Sequence, residues 1–150
     1  MGNYSVDATV ASGAASTTVL GLDGTTTTRG RLYDLILGSS ATPADNAADF
    51  QIRRFSTNNG TGTAVTPIAL DPADSAAEID ATQTYTVAPS LTANAEVLRW
   101  SQNQRATFRW VAAPGGEIVI PATSDSGVAL IVDAIAGSAV AWQTCFHYSE

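Results

Sequence analysis

The stretch EVLRWSQNQRATFRWV, Glu96 to Val111, twice sets an arginine between two large apolar residues, as Leu98-Arg99-Trp100 and as Phe108-Arg109-Trp110. In an extended chain successive side chains point to opposite faces, so each triplet reads as a strand with one apolar and one charged face. The pattern recurs outside this stretch. Phe50 and Ile52 share a face, as do Val128, Leu130 and Val132, and Trp142 and Phe146. No window of a dozen residues shows apolar recurrence at three and four, so helix is disfavoured and the chain reads as all-β.

Working outward, candidate strands are Tyr4 to Val10, Thr17 to Leu20, Arg31 to Leu37, Phe50 to Phe55, Ala64 to Leu70 and Thr82 to Val87. They continue with Glu96 to Ser101, Thr107 to Val111, Glu117 to Ile120, Val128 to Ala134 and Ala139 to Tyr148. Tight reversals are expected at Asp23-Gly24, Asn59-Gly60, Pro114-Gly115-Gly116 and Gly137-Ser138, whose residues tolerate turn dihedrals. The polar, breaker-rich segments Ser39 to Asn46 and Asp71 to Asp80 read as surface loops. Many short strands with one apolar face in 150 residues predict a single domain, a jelly-roll or β-sandwich. Met1 to Gly30 has an alternative reading as an extended N-terminal arm.

Composition narrows the function classes. The chain is 45% hydrophobic and 14% charged, and its seven basic residues are all Arg, against fourteen acids, for a formal charge of -7. DNA or RNA affinity rests on a basic face, so nucleic acid is not the expected partner. No run approaches the roughly 18 apolar residues of a helical membrane span, and the N-terminus carries no basic, then apolar, leader pattern. A soluble, unprocessed protein with no membrane partner is expected. The acids and arginines are also segregated. Every charged residue from Asp71 to Glu96 is acidic, including Asp74, Glu78 and Asp80, and every one from Val97 to Ala112 is Arg: Arg99, Arg105 and Arg109. Two readings stand side by side: pairing or solvation within one chain, where exposed pairs contribute about 0–1 kcal/mol, or matching between subunits, to which guanidinium is well suited. Asp71, Asp74, Glu78, Arg99, Arg105 and Arg109 are therefore the candidate interface residues. If the two Leu/Phe-Arg-Trp strands pair, Arg99 and Arg109 share a face; if a jelly-roll connection sends them to different sheets, they do not.

Other constellations carry less. Cys145 and His147 lie two apart on a predicted strand and so share a face, as a thiol and its base must, but no motif marks an orienting group or an oxyanion hole. A structural role is expected for both, and no catalytic residue is assigned. The single Cys rules out an internal disulfide. The acids at 71–80 lack the order of a calcium loop, so no metal and no cofactor are expected. Trp100, Trp110 and Trp142 invite a sugar-stacking reading, but their apolar neighbours favour core burial.

The segments RLYDLILGSSATPADNAADFQIRR (Arg31 to Arg54), TAVTPIALDPAD (Thr63 to Asp74) and NQRATFRWVAAPGGEIVIPATSDSG (Asn103 to Gly127), in that order, carry a resemblance. They resemble small head proteins of tailed bacteriophages, particularly of cyanophages and marine phages, that decorate or cement the capsid. The resemblance runs from about Arg31 to Glu150. It implies a jelly-roll or β-sandwich assembled as a homotrimer on the outer surface of the virion, bound to the major capsid protein, with no catalytic residues. The alternative is another virion component, such as a tail or fibre domain or a carbohydrate-binding module; a small hydrolase using Cys145 and His147 is the least favoured. On the decoration reading, Arg109→Glu is expected to weaken assembly and spare the fold.

Overall fold

Alternation drives the chain into twelve strands in the computed structural model, which describes residues 1–135, 137 and 139–150. They are β1 (Asn3–Ser12), β2 (Thr17–Asp23), β3 (Gly30–Ala41), β4 (Ala47–Ser56), β5 (Thr61–Val65) and β6 (Ile68–Ala69). There follow β7 (Asp80–Val87), β8 (Leu91–Asn103), β9 (Phe108–Val111), β10 (Ile118–Ile120), β11 (Ser126–Val132) and β12 (Val140–Ser149). Each candidate segment is a strand, with one division. Ala64 to Leu70 splits into β5 and β6 around Pro67, which has no N–H for a ladder and forces a break.

Two antiparallel sheets result. The first runs β10–β3–β12–β1–β6, with β9 also paired to β3; the second runs β5–β7–β2–β11–β4–β8. The chain visits them alternately: β1, β3, β9/β10 and β12 in the first, β2, β4, β8 and β11 in the second. Strands from opposite ends of the sequence are therefore neighbours, β1 beside β12 and β2 beside β11, which is the strand order of a jelly roll. Met1 to Gly30 is accordingly no arm. β1 keeps register with β12 from Asn3↔Ser149 to Ser12↔Val140, and β2 lies between β7 and β11. The reason is apolar area: Tyr4, Val6 and Ala8 on β1 and Val19, Leu20 and Leu22 on β2 are buried, each large aliphatic side chain stabilising by about 1.5–3 kcal/mol.

The core lies between the sheets, built from Leu32, Leu35, Leu37, Trp142, Phe146 and Tyr148 on one side and Leu20, Phe50, Ile52, Leu130 and Val132 on the other. Leu32 and Leu35 cannot face inward together on a regular strand. A bulge makes it possible: His147 pairs Asp34 while Tyr148 pairs Leu32, so β3 carries an extra residue there, at Tyr33, and Leu32 faces inward as well. At Gly127 the backbones of β11 and β2 come so close that a Cβ would sit 1.9 Å from the Leu22 carbonyl oxygen, which excludes any side chain.

Not every expected reversal is one. β9 and β10 run in the same direction along β3, from Leu37↔Phe108 to Gly30↔Ile120. Pro114-Gly115-Gly116 is thus an outward excursion within one edge, closed by the Gly116 N–H on the Ala113 carbonyl (2.8 Å) with Gly115 at φ +80°. Asp23-Gly24 joins the two sheets. Of the Gly137-Ser138 turn, Ser138 lies outside the described residues.

Candidate functional site

The fold has two lateral sides. On one, β5 of the second sheet continues into β6 of the first, and the acidic segment 71–79 follows β6 directly. On the other, β8 ends the second sheet and β9 lies at the margin of the first, joined by a short turn in which the Ala106 N–H donates to the Asn103 carbonyl (2.9 Å). The three arginines therefore sit across the sandwich from Asp71 and Asp74, while Glu78 lies at one end of it beside Thr27, Thr28 and Glu150. None of the ion pairs joins the two groups among the described residues. Because β8 and β9 belong to different sheets, Arg99 and Arg109 do not share a face.

Each of these residues has its own local partners. Arg99 lies 3.4 Å from the Asp133 carboxylate, and Gln51 donates to the other Asp133 oxygen at 2.7 Å. Arg105, in the β8–β9 turn, donates its backbone N–H to Asn103 Oδ1 (2.9 Å), and its exposed side chain makes no ion pair among the described residues. Asp71 Oδ1 accepts from the Ala73 N–H (2.9 Å) and so shapes the loop; Glu78 accepts from the hydroxyls of Thr27 and Thr28. Asp74 is exposed. The Glu78 carboxyl is held below the ordinary range by Thr28 and then Thr27.

Arg109 is different. It grips Asp34 with two hydrogen bonds, Nε to Oδ1 at 3.0 Å and Nη2 to Oδ2 at 2.7 Å, and the Asp34 side chain is only 5% exposed. Those bonds, and the contact from His147, hold the Asp34 carboxyl below its usual range against the opposing effect of burial. Arg109→Glu is therefore not the clean interface probe expected from sequence: it would face a buried carboxylate with a second one.

The tryptophans are packing residues. Trp142 is fully buried and donates its indole N–H to Ser12 Oγ at 2.6 Å. It meets Phe50 edge-on (4.8 Å), Phe50 stacks on Trp100 (5.4 Å), and Trp100 stacks on Phe108 (4.4 Å). This aromatic column ties β8 to β9 where no backbone ladder does, and leaves no free tryptophan face on Trp142 for a sugar.

On the outer face of the first sheet, one constellation that the sequence half-announced is completed. Cys145 Sγ lies 3.6 Å from His147 Nε2 and 3.3 Å from Ser5 Oγ on β1. His147 Nδ1 lies 3.2 Å from Asp34 Oδ2, and its ring stacks on Tyr33 with centroids 6.3 Å apart. The i, i+2 spacing pointed to the thiol and imidazole; the orienting carboxylate, 113 residues away, had no signal. Asp34 alternates regularly with the inward Leu35 and Leu37 and so shares the outer face with Ile36, while the bulge at Tyr33 lets Leu32 face inward as well. Beside Cys145 runs a groove of about 490 Å³ whose lining includes Asp7, Ile36, Gly38, Thr107 and Gln143. The three groups stand in file and do not converge, and among the described residues no three His, Cys, Asp or Glu side chains are placed to hold a metal ion.

No family model, no curated protein and no solved structure matches this chain.

Proposed function

We propose that the chain is a structural virion protein that decorates and stabilises a phage capsid, assembling as a homotrimer on the outer surface against the major capsid protein. The observation that carries the reading is the placement of charge. Arg105 lies at the β8–β9 margin of the sandwich and Asp71 and Asp74 follow β6 at the other, with no ion pair between the two groups among the described residues, so their matching is assigned to contacts between copies. Contact between two different sides of the same molecule is heterologous, and it is satisfied throughout only when the ring closes, as around a threefold axis. The jelly-roll fold and the resemblance of Arg31 to Glu150 to phage head proteins support the same role. A net charge of -7 suits the outside of a DNA-filled shell better than its lumen.

Arg105 is the residue to test, because its side chain has no ion-pair partner to lose among the described residues. Light scattering on the eluting protein should give a trimer mass for the wild type. Arg105→Glu should shift the mass toward monomer, and adding Asp74→Arg should restore the trimer. A chain that stays monomeric at high concentration and does not bind expanded phage heads would overturn the reading.

A further inference from the structure

We propose that Cys145 is a base-assisted thiol that exchanges with small neutral or cationic disulfides seated in the adjoining groove, so that the outer face of the first sheet carries a thiolation site. The inference does not depend on the capsid reading.

The geometry supplies the parts in order. With Asp34 accepting from His147 Nδ1–H, the neutral imidazole has its lone pair on Nε2, the atom that faces Cys145 Sγ at 3.6 Å. Arg109 holds Asp34 ionised and in place, so Asp34 acts as a positioning residue and favours the imidazolium that forms when the thiol proton is taken. Ser5 Oγ, 3.3 Å from the sulfur, can donate to it as negative charge develops. Residues 143–145 border the groove while His147 does not, so the base and the bound disulfide approach the sulfur from different directions.

In the step itself, Nε2 accepts the thiol proton as Sγ attacks one sulfur of R–S–S–R. An Sγ–S bond forms, the original S–S bond breaks, and the departing thiolate takes the proton back from the imidazolium. The disulfide is the only co-reactant, and no other oxidant is needed.

Shape and charge define the class of partner. Cys145 sits mid-strand on β12, half-buried between β1 and β3, with Asp7 and Ile36 as its register partners. A disulfide to a second copy needs Cα atoms within about 7 Å of each other, an approach the flanking strands obstruct, whereas a small molecule enters by the groove. The ionisable groups facing the thiol and its base are Asp7 on β1, Tyr33 and Asp34 on β3, and Arg109 on β9. Asp34 and Arg109 pair with each other, which leaves Asp7 at the groove to disfavour anionic disulfides.

The reduced full-length chain would be incubated at pH 7 with cystamine, 2-hydroxyethyl disulfide or oxidised glutathione, and adduct formation followed by intact mass. The same chain unfolded in urea serves as the reference thiol. Native Cys145 should outpace the unfolded thiol with the first two reagents and lose that advantage with the third. His147→Ala should slow the native reaction by at least about tenfold; His147→Gln, of closer size, repeats the test if the alanine variant melts early. Asp7→Asn should raise the glutathione rate relative to cystamine, a selectivity change that a merely structural Asp7 would not produce. Three results would overturn the proposal: a native rate no faster than the unfolded one, no change on losing His147, or chain-to-chain disulfides in place of small-molecule adducts.

Discussion

Where β5 runs into β6, only Thr66 and Pro67 separate the two strands, and each is held by backbone pairing within its own sheet: β5 pairs β7, β6 pairs β1, and the Leu70 N–H donates to the Asn3 carbonyl at 2.7 Å. Where β8 runs into β9 the link is a turn, and the column Trp142–Phe50–Trp100–Phe108 spans the two sheets there with packed rings. Both margins bury the core, but by different physics. A backbone ladder tolerates side-chain change and is broken by losing an N–H; an aromatic column is indifferent to the ladder and is broken by losing a ring. The ladder side carries acids held by local backbone contacts, and the aromatic side carries the arginines.

The largest test of that contrast is Phe50→Ala, which removes the ring at the centre of the column. It should cost about 3–5 kcal/mol, as truncation of a fully buried Phe does, read from the urea midpoint. Amide exchange should accelerate first in β8 and β9 and leave β5 and β7 near their global rate. Thr82→Pro attacks the other side. Thr82 pairs Gly21 on β2 and Ala64 on β5, so proline there removes a ladder bond inside the sheet, with a loss of about 3 kcal/mol. Exchange should then rise in β5 and β7 with β9 unaffected. If both substitutions loosened both margins equally, the two sides would not be independent.

The smallest effect concerns Arg109, on the aromatic side. Because Arg109 lowers the Asp34 carboxyl below its unfolded value of about 4, the pair stabilises the native state above that value and ceases to do so as pH falls through the folded one. Arg109→Ala should therefore lower the melting temperature at pH 7, and the gap from wild type should narrow as pH falls below about 4 and close once Asp34 is protonated. A gap that persists in acid would mean that Arg109 acts through packing of its stem and not through Asp34.

Much of this was legible residue by residue. Period-two alternation placed the strands within a few residues, and the spacing of Cys145 and His147 put them on one face, because strand geometry is a local property. Pro67 could have announced the division of Ala64 to Leu70, since its missing N–H is visible in the sequence. The bulge at Tyr33 and Asp34 could not. It is imposed by the need to bury both Leu32 and Leu35 against the opposite sheet, and it puts Leu32 on the face opposite to the one that alternation from Leu35 would give it. The repeated apolar-Arg-apolar triplet misleads for a related reason: the two copies look like partners, yet the turn between them crosses from one sheet to the other.

The amino-acid sequence by itself determined an all-β single domain, the buried face of the strands carrying Phe50, Leu98, Phe108, Val128 and Trp142, the segregation of acids from arginines, and the thiol–imidazole pair. Only the tertiary structure decided that β1 and β2 are interior strands and not an arm, that Asp71 and Asp74 lie across the sandwich from the arginines, and that Asp34 joins Cys145 and His147. The physical reason is that which face a side chain takes depends on its own few bonds. Which strand lies beside which depends on burying a common core between chain segments more than a hundred residues apart.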